Sequence, residues 1–99
     1  MIDQKFPDAL PADASAPQAK RWVRKLVFFV GIGFHPDTQF SDYVVPDGKP
    51  SFTAEQCETL ESGLSAAWRI LDREGFNLYT VAHRAQRVLL RQLLRSPRD

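Results

Sequence analysis

Gln18-Ala19-Lys20-Arg21-Trp22-Val23-Arg24-Lys25-Leu26-Val27-Phe28-Phe29-Val30 decides the fold class, because it reads two ways. Leu26 to Val30 has the β-branched and aromatic character of a strand. At about 100° per residue, however, Trp22, Val23, Leu26, Val27, Phe29 and Val30 fall on one side and Lys20, Arg21, Arg24 and Lys25 on the other, with Phe28 alone off the pattern. A strand would put Lys25 on one face with Val23, Val27 and Phe29, burying a charge or leaving that face mixed. Propensity keeps the strand alternative open over residues 20–30, while the charge argument favours a helix ended by Gly31 and Gly33.

Outward from this stretch the C-terminal half is plainer. Thr53 is a good N-cap with Gln56 three residues on, which completes a capping box, and Phe52 can staple onto Cys57. Cys57, Leu60, Leu64, Ala67, Trp68 and Leu71 share one arc of the following helix, which Gly75 ends. Glu55, Glu58 and Glu61 complement the positive end of its dipole. A second capped start at Asn77, with Phe76 able to reach Val81, opens a helix from Leu78 to about Arg95, before Pro97. Leu78, Val81, Ala82, Ala85, Val88, Leu89 and Leu93 form its core stripe.

These readings predict a mainly α domain of three helices, with a C-terminal antiparallel helical hairpin and room for a small β-hairpin. The β-hairpin would turn at Pro46-Asp47-Gly48-Lys49, between Val44-Val45 and Pro50-Ser51-Phe52. Leu60, Leu64, Trp68, Leu71, Val81, Ala85, Val88 and Leu89 are expected to supply most of the core. Residues 1–17, punctuated by Pro7, Pro11 and Pro17, are expected to form a flexible arm ahead of a single domain over 18–99, with Phe6 and Leu10 able to dock.

Ninety-nine residues make one small domain, and a formal charge of +1 provides no overall attraction to nucleic acid or anionic lipid. A single cysteine, Cys57, excludes an intrachain disulfide and a multi-cysteine zinc site and suits a reducing, cytoplasmic setting. Charges and proline interrupt the first eight residues, against a signal peptide, and the apolar run Leu26 to Phe34 is far below the roughly 18 residues of a membrane span. No membrane association is expected.

Charge is concentrated in one place. Arg84, Arg87, Arg91 and Arg95 occupy an arc of roughly 80° on the last helix, with no acidic residue between Asn77 and Pro97. Leu90 and Leu94 extend its apolar face beyond the core stripe, as an association face would. The arginines suit an acidic protein partner, the phosphates of a nucleic acid, or salt bridges to Glu55, Glu58, Glu61 or Glu74 of the neighbouring helix.

The segment Gly31-Ile32-Gly33-Phe34-His35-Pro36-Asp37-Thr38-Gln39-Phe40-Ser41-Asp42-Tyr43 is the other unusual feature. Its glycines lack the GxGxxG frame and no Lys-Ser/Thr follows, against dinucleotide and P-loop chemistry. His35, Asp37 and Asp42 are one nitrogen and two carboxylates, a set that suits a divalent metal or general acid–base work. The same residues suit a structured turn in which His35 bonds the backbone and Phe34, Phe40 and Tyr43 pin the loop to the core. His83 lies apart in sequence, on the rim between the apolar and arginine arcs. Cys57 has no lysine or histidine near it in sequence to activate it.

The string from Gly33 to Tyr43 resembles a Gly-Phe-His-Pro-Asp-Thr, Phe, Asp-Tyr motif of short uncharacterised bacterial proteins, and the similarity continues through residue 80. The resemblance implies a bacterial origin and a compact domain, implies no activity, and draws attention to His35, Asp37, Asp42 and Tyr43 as a functional surface. The reading that follows is a non-enzymatic interaction or regulatory module that needs no cofactor. It would bind a protein partner or itself through Leu90, Leu94 and the arginine face. Nucleic-acid binding through the same arginines and a metal-dependent enzyme at His35, Asp37 and Asp42 are the alternatives.

Overall fold

A computed structural model describes residues 7–31, 34–37, 39–40 and 52–95. Three helices follow one another: α1 (Ala16–Val30), α2 (Ala54–Arg73) and α3 (Leu78–Arg95). The contested stretch is helical, and no strand occurs among the described residues. The expected β-hairpin falls on 44–52, of which all but Phe52 lie outside them.

Helix α1 starts two residues before the expected Gln18. The Ser15 hydroxyl accepts from the Gln18 amide at 3.3 Å, and the Gln18 side chain accepts from the Ser15 amide at 2.7 Å. This is a capping box of the same kind as that of Thr53 and Gln56 on α2. Pro17 fits the first turn because no helical hydrogen bond needs its missing N–H. At the other end Gly31 takes a positive φ of 102° and donates to the Val27 carbonyl at 2.7 Å.

The expected arm is described from Pro7 onward, and there it lies against the domain. Pro7 is buried, Leu10 and Ala14 pack on the core, and the Trp22 indole N–H donates to the Asp8 carbonyl at 2.6 Å. A buried indole carries a donor that needs an acceptor, and this segment supplies it.

The α2/α3 pair supplies most of the buried side chains, as expected, but each of the two helices packs mainly on α1 rather than on the other. Ala19, Trp22, Val23, Leu26 and Val27 are buried, at the i, i+3, i+4, i+7, i+8 spacing of a broad apolar stripe. Helix α1 packs extensively on both other helices, whereas α2 and α3 meet far less. Leu60, Leu64, Leu71, Ala85 and Leu89 are buried as expected, together with Ile70. Val81 and Val88 are half-buried, while Trp68 and Leu93 are 37% and 50% exposed. A helix seated on α1 rather than between two partners has a narrower buried arc, and those residues fall at its edges. Phe34, Phe40 and Phe52 fill the end of the core, with Phe40 meeting Phe52 edge to face at 5.9 Å.

The α2–α3 connection is a Schellman turn. Gly75, at φ 82°, donates to Asp72 at 3.1 Å, and Phe76 donates to Leu71 at 2.8 Å. The Asn77 side chain then caps α3 by accepting from the Thr80 amide at 3.2 Å.

Candidate functional site

Two surfaces carry the residues singled out in the sequence. The first is the loop before α2. The Asp37 amide donates to His35 Nδ1 at 3.2 Å, so His35 bonds the backbone. The Asp37 carboxylate turns the other way and accepts from the Tyr79 hydroxyl at 2.6 Å. That bond, with burial and the Asp37 charge as lesser causes, raises the Tyr79 phenol above the ordinary tyrosine value of 10.0. Tyr79 sits edge-on to His35 at 6.2 Å and to Trp68 at 5.6 Å, and Gln86 donates to the Phe34 carbonyl at 2.7 Å. Helix α3 thus fastens the loop at two points, Tyr79 and Gln86, about two helical turns apart.

Sequence spacing separated His35 from His83, yet the fold places both in the lining of one hollow of about 410 Å³, with Tyr79 and Gln86. Tyr79 is the residue that sequence reasoning missed. Its signal was an aromatic standing just off the core stripe of α3, where a side chain either stays exposed or finds a partner. Asp42 and Tyr43 lie outside the described residues. Among the described residues no group of three or more His, Cys, Asp or Glu side chains is placed to hold a metal ion. No polar side chain is buried among them either.

The second surface is the outer side of α3. Arg84, Arg87, Arg91 and Arg95 are all exposed. Among the described residues none of them makes an ion pair, so the expected bridges to Glu55, Glu58, Glu61 or Glu74 are absent. The physical reason is the packing: α3 rests mainly on α1 and meets α2 far less. Beside the arginines Leu94 is 77% exposed and Leu90 44% exposed. On the helical wheel Arg87 lies between the leucines and the other three arginines, so apolar and cationic groups form one continuous face.

Cys57 is half-buried and free, on the edge of the core. Burial, then the nearby Glu61 charge, push its thiol above the ordinary value of 9.0. Both effects disfavour the thiolate, so Cys57 is poorly suited to act as a nucleophile. No helix among the described residues is long and apolar enough to cross a membrane.

No known protein family, curated protein or solved structure matches the chain.

Proposed function

We propose that this protein is a small interaction module whose partner is a protein presenting an apolar patch edged with carboxylates, docked on the outer side of α3. The observation that carries this reading is the juxtaposition of Leu90, Leu93 and Leu94, at 44%, 50% and 77% exposure, with four arginines that make no ion pair among the described residues. Solvent-facing leucines are unfavourable unless something covers them, and guanidinium groups at the rim steer and orient an acidic partner. A face with cations and no carboxylate opposes its own copy, which favours a different acidic partner over a symmetric dimer through α3.

The arginine row also suits a phosphate backbone. The leucines distinguish the two, because they add nothing to phosphate contacts and match an apolar protein surface. The free Cys57 and the absence of a membrane-spanning helix among the described residues support a cytoplasmic setting. The loop resemblance supports a bacterial source.

Site-specific photo-crosslinking in a bacterial host tests this. A photoreactive phenylalanine analogue at position 90 or 94 is expected to give a discrete protein adduct that weakens when Arg87 and Arg91 become glutamate. Placement at the exposed Arg69 of α2 is expected to give none. Adducts to nucleic acid instead of protein, or equal adducts from position 69, contradict the reading.

A further inference from the structure

Away from the leucine face, α1 and α3 leave a cleft of about 480 Å³ between them. Its rim carries Lys20 and Arg24, one turn apart on α1, and Arg84 from α3; its floor is Phe76, Val81 and Val88. Among the described residues no carboxylate lines it. The lining on α3 runs from Asn77 to Val88, about 16 Å along the helix axis at 1.5 Å per residue, so the cleft is a trough rather than a round pit.

We propose that this trough binds a small amphipathic anion, a medium-chain alkyl carboxylate, with its chain along Val81 and Val88 and its head group on Arg84 and Arg24. The volume falls within the roughly 300–1,000 Å³ of small-molecule sites. It is the space of a chain, not of a helix about 10 Å across. Lys20 places its ammonium 3.4 Å from the centroid of the Phe76 ring, which covers the aromatic face that a nucleic-acid base would need for stacking. Arg24 sits more loosely over Phe28, at 5.5 Å. Arg84 has no ion pair among the described residues. Arg24 and Arg84 line the trough from opposite helices, and guanidinium forks beside an apolar floor match a planar carboxylate.

Arg84 borders both surfaces, but Leu90, Leu93 and Leu94 do not line the trough, so the two are tested apart through the leucines. The full chain, labelled with ¹⁵N, is titrated with decanoate below its micelle concentration while amide shifts are followed. Saturable shifts are expected at Lys20–Arg24 and Gly75–Val88. Decanol, with the same chain and no charge, is expected to bind at least about tenfold more weakly, and Arg84→Gln to weaken decanoate by about tenfold. Val88→Glu is expected to abolish binding with the remaining spectrum unchanged, and Leu94→Glu to leave it intact. Shifts centred on Leu90 to Leu94, equal affinity for decanol, or no saturable shift overturn the proposal. Decyl phosphate binding more than about tenfold tighter than decanoate overturns the carboxylate assignment. If a variant fails to fold, the comparison of decanoate with decanol still decides.

Discussion

A Cβ atom built on Gly63 would lie 2.8 Å from Trp22 Cη2, so the indole of α1 rests directly on the backbone of α2. Alanine at this position gains about 1 kcal/mol of helix propensity but must displace a ring that is only 6% exposed. Overpacking of this kind costs about 1–3 kcal/mol. Gly63→Ala is therefore expected to lower stability by about 1 kcal/mol, read as a fall in Tm of several degrees. An unchanged or raised Tm contradicts the close approach.

The same indole ties down the N-terminal segment. Trp22→Phe removes the donor to the Asp8 carbonyl and leaves that acceptor facing a ring edge. The expected loss is about 1 kcal/mol by urea denaturation. Amide exchange should accelerate selectively over residues 7–14. Uniform acceleration across the whole chain would show that the bond does not anchor this segment.

Tyr79 gives a pH signature. Its phenol is raised above 10.0, chiefly by donating to Asp37, so the folded state favours the neutral form more than the unfolded chain does. The stabilisation is complete below the unfolded value near pH 10 and is lost as pH rises through the folded value. Absorbance titration should show one tyrosine ionising late, moving back toward 10.0 in Asp37→Asn and disappearing in Tyr79→Phe. A late tyrosine that survives Tyr79→Phe would assign the effect elsewhere.

Cys57 is expected to react with a disulfide reagent at pH 8 more slowly than a free thiol, because burial and Glu61 both hold back its thiolate. Glu61→Gln should speed the reaction modestly, since it removes the lesser of the two causes. A rate equal to that of free cysteine would place Cys57 in open solvent.

Most of the helical plan was legible in the chain. The capping pair Thr53/Gln56, the N-cap Asn77, the glycine stop at Gly75 and the amphipathic spacing of Trp22 to Val30 are local signals, and each marks the element it predicts. The pairing of helices was not legible, because an apolar stripe says which face is buried and not against what. Hence Trp68 and Leu93 read as core, and Ser15/Gln18, though the same type of cap as Thr53/Gln56, was lost among the prolines before it. The loop shows the same division. That His35 bonds its own backbone follows from a histidine two residues before an aspartate in a turn, whereas Tyr79 and His83 reach it only through the packing of α3.

Helix α1, with both other helices resting on it, is what leaves the outer side of α3 open with its arginines unpaired among the described residues. Native-state hydrogen exchange followed amide by amide measures this directly. The slowest amides are predicted at Trp22, Val23, Leu26 and Val27, with exchange free energies equal to the global unfolding value. If those amides exchange early while α2 and α3 remain protected as a pair, α1 is peripheral, and the account of both the core and the open α3 surface is wrong.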